Sequence, residues 1–195
     1  GGQGTYGDKV VFLANDWQAG LVPFYLCHKY RRNGCYTSSR AIYVVHNLGY
    51  QGQYPHVEAC HFFGCERHMA GDVELGDCVN LSKAALINAD RVLTVSPNYT
   101  REIQTPEGVF RLESFVRAKG DALRLGGILN GIDDVWNPET DKDLHERYSV
   151  DDLEVGKAAN KAHVQQMLGL YEDPDVVLIG FVGRLTWQKG VDVMV

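Results

Sequence analysis

Ala41-Ile42-Tyr43-Val44-Val45-His46-Asn47 is an apolar run that ends abruptly in two polar side chains. Its β-branched and aromatic residues suit a pleated surface, and an unbroken apolar run suits a strand buried on both faces. The same grammar recurs along the chain. Lys9–Leu13 leads to Asn15-Asp16, Arg91–Val95 to Ser96-Pro97, Leu125–Leu129 to Asn130-Gly131, and Val176–Val182 to Gly183-Arg184. Helical patterns lie between these runs. Trp17–Arg32 reads as a helix that Pro23 disturbs, Leu81–Ala89 as a second, and Ser96-Pro97 opens a short one through Ile103. Asp151–Leu168 reads as another, with Asp151 as its cap and Gly169 as its stop. Strands alternating with helices predict a parallel α/β sheet, and such sheets collect ligands at the carboxyl ends of their strands.

The bulk composition excludes several classes of function. With 195 residues the chain holds one large domain or pieces of two. A net charge of −6 argues against nucleic acid as a partner, because phosphate backbones are gripped by clustered cations. No apolar run approaches the roughly 18 residues that a membrane span requires. The five cysteines are an odd, irregularly spaced set, which fits a reducing compartment better than a disulfide framework. Residue 1 is Gly, so a targeting peptide is not observable.

Two segments break the rhythm. Residues Gln51–Gly76 read as a long surface excursion, and the acidic, turn-rich Ile132–Tyr148 reads as a linker. The excursion and its flank hold His56, Cys60, His61, Cys65, His68 and Cys78, but their spacing lacks the tight paired halves of a zinc site. There is no GxxxxGK[ST] loop, no GxGxxG fingerprint and no GxSxG elbow.

The polar strand ends are the candidate sites, each with a plain structural alternative. Arg184 and Lys189 flank a turn and could neutralise a phosphate, or could be two solvated cations. His46 could bond a sugar hydroxyl or shuttle a proton, or be satisfied by nearby backbone. Asp16 could orient an acceptor hydroxyl or cap the helix starting at Trp17. Asn130-Gly131 could bind a ligand or only turn the chain.

Six segments taken in order resemble the starch synthase and bacterial glycogen synthase family. They are Ala14-Asn-Asp-Trp-Gln-Ala19, Val45-His-Asn-Leu-Gly-Tyr-Gln-Gly52, Ala89-Asp-Arg-Val-Leu-Thr-Val-Ser-Pro97, Gly127-Ile-Leu-Asn-Gly-Ile-Asp133, Trp136-Asn-Pro138 and Gly183-Arg-Leu-x-x-Gln-Lys-Gly190. The resemblance implies Rossmann-like parallel sheets of a two-domain GT-B glycosyltransferase, truncated at both ends. Residues 1–131 would be the later half of the acceptor-side domain, and 132–195 a linker and the start of the nucleotide-sugar domain. It also implies retaining transfer of glucose from ADP-glucose to the non-reducing end of an α-1,4-glucan, with no metal and no cofactor. Asp16 and His46 would be the catalytic pair, Asp16 on the acceptor side and His46 against the donor glucose. Asn130 would also touch that glucose, while Arg184 and Lys189 would hold the diphosphate.

A plant or algal starch synthase in a plastid is expected over a cytoplasmic bacterial glycogen synthase. A non-catalytic glucan-binding relative and a sucrose- or trehalose-type enzyme are the other readings. Gln18 stands where the family usually has histidine, Val109–Glu113 replaces a glycine-rich stretch, and 56–78 matches no family motif. The family's Lys-Thr-Gly-Gly loop and its C-terminal glutamate motif fall outside the chain, so the 195 residues alone are expected to be inactive.

Overall fold

The computed structural model describes residues 7–56, 61–106 and 111–194. The described residues contain strands β1 (Val11–Asn15), β2 (Arg40–Val45), β3 (Gln53–Pro55), β4 (Glu74–Leu75), β5 (Cys78–Asn80), β6 (Arg91–Thr94) and β7 (Leu125–Gly127). The helices are α1 (Leu21–Tyr25), α2 (Ala70–Val73), α3 (Leu81–Asn88), α4 (Pro97–Glu102), α5 (Glu113–Asp121) and α6 (Leu153–Met167). The chain divides into two compact units, Gly1–Asn130 and Gly131–Val195.

The first unit is built on a four-stranded sheet in the order β1-β2-β6-β7, parallel throughout. Side chains alternate across such a sheet. Ala14, Tyr43, Val45 and Val92 therefore share one face, where they pack with Ala85 and Leu86 of α3, Ile103, and Val116 of α5. On the opposite parity of β1, Val11 and Leu13 are exposed at 58% and 63%. The expectation of strands buried on both faces thus holds for only one face among the described residues.

The expected helix from Trp17 is instead a series of short pieces. A 3-10 turn (Trp17–Ala19) precedes α1, and a π-helical stretch (Leu26–Tyr30) and another 3-10 turn (Arg31–Asn33) follow it. Pro23 lies in the first turn of α1, where a missing N–H breaks no helical bond, so it fits that helix without disturbing it. Ser96 caps α4 as expected, its hydroxyl accepting the Tyr99 N–H at 2.9 Å.

Much of segment 51–76 lies on the surface, with Gln53–Pro55, His61, Phe62 and Arg67 exposed, but its described residues include strands and a helix. Strands β3, β5 and β4 form an antiparallel sheet in that order. Met69 and Val73 are buried in a second core with Phe24, Val79, Leu81 and Ala84. Apolar residues scattered among His, Cys and Gly hide this packing from a periodicity reading. Among the described residues no group of three or more His, Cys, Asp or Glu is arranged to hold a metal ion; Cys60 lies outside them.

The second unit centres on α6. Asp151 does not cap it: Asp152 holds the cap position, and its carboxylate accepts the Ser149 N–H at 2.6 Å and hydroxyl at 2.8 Å. Gly169 does stop it, at φ 64°, with the Gly169 and Leu170 amides donating to the Gln166 and Gln165 carbonyls. The stretch read as a linker packs on this helix. Tyr148 lies against Gly156, and the Asn160 amide donates to Glu146 O at 2.6 Å. The expected last strand, Val176–Val182, forms no strand among the described residues, and Val177, Ile179 and Val182 are exposed. A strand is defined by its ladder, and no described residue supplies a neighbouring one.

Candidate functional site

The parallel register pairs Asn15 with Val44 and Val45 with Thr94, so the ends of β1, β2 and β6 form one rim. Asp16 steps off β1 with φ 51° and ψ −173°, a conformation that costs a non-glycine residue energy. Three contacts hold it there. Its N–H donates to Val44 O at 2.9 Å, and its Oδ1 accepts the His46 N–H at 2.8 Å and the Asn47 N–H at 3.4 Å. The carboxylate does not cap the turn at Trp17. It ties the end of β1 to the loop after β2, which sequence spacing could not distinguish from capping.

His46 is brought beside Asp16 and is exposed. Its Nε2 lies 3.1 Å from Oδ1 of Asn15. Asn15 belongs to the Asn15-Asp16 strand end that the sequence picks out, but the sequence reading assigns a role there to Asp16 alone. The available signal was its place as the first polar residue after an apolar strand.

Loop 46–52 is held from three sides. The Leu48 N–H donates to the Tyr99 hydroxyl at 2.9 Å, which links the loop to α4. Burial raises the Tyr99 phenol above its ordinary range, against the opposing effect of that bond, so the hydroxyl stays neutral. Gln51 is buried and accepts from the Asn80 amide at 2.6 Å, while the Leu81 and Ser82 amides donate to the Gly52 and Gln51 carbonyls. Gly52 sits at φ 63° under the Trp17 ring, and a Cβ there would lie 2.5 Å from Trp17 Cε3. Trp17 therefore locks the Asn15-Asp16-Trp17 corner onto the Gly-Tyr-Gln-Gly turn.

The remaining candidates lie apart from this cluster in the chain. Asn130 is exposed, three residues beyond β7, at the end of the first unit. Arg184 and Lys189 belong to the second unit and flank a tight corner. The Thr186 N–H donates to Arg184 O at 2.9 Å, and the Lys189 N–H to Thr186 O at 2.9 Å. A 3-10 turn (Trp187–Lys189) ends in left-handed Gly190 at φ 68°. Both cations are exposed. The corner is present, but among the described residues it opens no α-helix; a further 3-10 turn (Val191–Val193) follows.

A family model described as the starch synthase catalytic domain matches residues 3–118. The chain is 44% identical over 204 residues to soluble starch synthase 1, chloroplastic/amyloplastic, of Solanum tuberosum, covering 97% of this chain and 31% of that protein. It is 45% identical over 183 residues to a glycogen synthase of Anaeromyxobacter sp. (strain Fw109-5), covering 93% and 38%. Among solved structures it resembles the catalytic domain of starch synthase IV from Arabidopsis thaliana bound to ADP and acarbose. That match has a TM-score of 0.75 and 34% identity, and covers 94% of this chain and 38% of the other. The chain spans about a third of the length of these relatives.

Proposed function

Because the chain belongs to the starch synthase catalytic-domain family, with plant starch synthases and bacterial glycogen synthases as relatives, we propose that it is part of a retaining glucan synthase. The reaction is transfer of glucose from ADP-glucose to the non-reducing end of an α-1,4-glucan. The observation that carries this reading is the joint fixing of Asp16 and His46 on one strand-end rim, the backbone of one held by the carboxylate of the other. ADP and acarbose, an oligosaccharide mimic, are the ligands of the structural relative and suit the same substrate classes.

In this reading His46 bonds a hydroxyl of the donor glucose, and Asp16 stands by the acceptor. Oδ1 of Asp16 is occupied by backbone amides, so Oδ2 is the oxygen that meets a sugar hydroxyl. Asn130 adds a further contact to the donor sugar. Arg184 and Lys189 take the diphosphate, where negative charge builds as the glycosidic bond breaks, and two fixed cations stabilise that charge. No step requires a metal or cofactor. In a plant or alga the protein works in the plastid, as the names of its plant relatives suggest.

Radiolabelled glucose transfer to glycogen tests the proposal, comparing ADP-glucose with UDP-glucose in the full-length polypeptide. Incorporation from ADP-glucose is expected, and none from either donor would overturn it. The 195 residues alone, about a third of the length of the relatives, are expected to transfer nothing, and measurable turnover by them would overturn that expectation.

A further inference from the structure

The bond between Asn15 and His46 fixes more than the place of the ring. An amide oxygen can only accept, so with Asn15 Oδ1 at 3.1 Å the Nε2 of His46 carries a proton, and in the neutral ring Nδ1 is left as an acceptor. The Asn15 amide keeps its Nδ2 donors, and among the described residues neither Nδ2 nor Nδ1 of His46 has a hydrogen-bond partner. Both side chains are exposed at the strand-end rim.

We infer that Asn15 is a positioning residue that holds His46 as the Nε2–H tautomer. The pair then offers an acceptor, Nδ1, and a donor, Nδ2, from adjacent strand ends. Nδ1 faces away from Asn15 across the ring, so the two groups meet different hydroxyls, one donating to the ring and another accepting from the amide. The ligand class is a polyhydroxylated one, and the selectivity is against analogues in which the hydroxyl meeting Nδ1 is replaced by hydrogen, which leaves the ring nitrogen unpaired. This rests on the assignment of His46 to a sugar hydroxyl. The tautomer itself does not depend on it.

Two measurements test the inference. Imidazole nitrogen NMR of the chain, with His46 assigned from His46→Gln, should show the Nε2–H form, and Asn15→Ala should convert it to a mixture. Finding the Nδ1–H form in the wild type would overturn the inference, since the amide would then be donating to the ring. In the full-length polypeptide, Asn15→Ala should lower kcat/KM for ADP-glucose about three- to tenfold, the worth of one neutral hydrogen bond.

Asn15→Asp keeps an acceptor at Nε2 but adds a charge that favours the imidazolium, so the acid limb of the kcat/KM profile should move to higher pH. A purely structural role would lower activity equally at every pH, and an unmoved limb would count against positioning. If the wild-type polypeptide transfers no glucose, the proposed function fails, while the NMR result still decides the role of Asn15.

Discussion

Gly52→Ala tests the lock between the two halves of the site. The new Cβ would sit 2.5 Å from Trp17 Cε3 and 3.0 Å from Cδ2, well inside contact distance, at φ 63°. The left-handed backbone costs an L-residue about 1–2 kcal/mol, less about 0.4–1 kcal/mol recovered because alanine restricts the unfolded chain. Overpacking adds about 1–3 kcal/mol, for a total of about 1–5 kcal/mol, centred on about 3 kcal/mol. Gly34 provides the control, with φ 75° and open space where its Cβ would go, so Gly34→Ala should cost only about 1 kcal/mol. The assay is urea unfolding followed by Trp17 fluorescence, with Trp136 and Trp187 replaced by Phe to silence the second unit. Because Trp17 also meets Tyr54 edge-on at 6.4 Å, its emission should change in the folded state too. Equal losses for Gly52→Ala and Gly34→Ala would refute the argument that the ring bears on Gly52.

Other expectations follow from the same geometry. Asp16→Ala removes the acceptor for the His46 N–H and leaves a strained backbone at φ 51°, so it should cost about 2–4 kcal/mol. Asp16→Asn keeps an acceptor for the His46 N–H, so denaturant midpoints should place it between wild type and Asp16→Ala. Ser96→Ala should cost about 1 kcal/mol by uncapping α4, and amide exchange at Leu48 should accelerate because Tyr99 rides on that helix.

Asp90 supplies a pH test. Burial raises its carboxyl, but bonds from the Arg31 guanidinium and the Ala41 N–H, with the Arg31 and Arg40 charges, hold it below its ordinary range. Its stabilisation is therefore present above the unfolded-state value of about 4 and is lost as pH falls through the lower folded value. The stability gap between wild type and Asp90→Asn, from urea titrations across that acid range, should narrow toward low pH.

The alternation of apolar runs and helical patterns sufficed for the parallel α/β class, the strands at Arg40–Val45 and Arg91–Thr94, the Ser96 cap and the Gly169 stop. Each is a local matter of side-chain shape, periodicity or a preferred dihedral, so nearest neighbours in sequence carry it. The polar pairs at strand ends pointed to Asp16 and His46 for the same reason, since a parallel sheet puts its strand ends on one edge.

What the sequence left open depends on partners distant along the chain. Val176–Val182 has the composition of a strand, yet a strand exists only where another lies beside it. Met69 and Val73 looked like parts of a loop until Phe24 and Ala84 closed over them. Asp16 could cap its own turn or reach across to residue 46, and only the parallel register of β1 with β2 chose the second. That register also brought Asn15 to His46, thirty-one positions away in sequence, and a contact of that span is settled by packing, not by propensity.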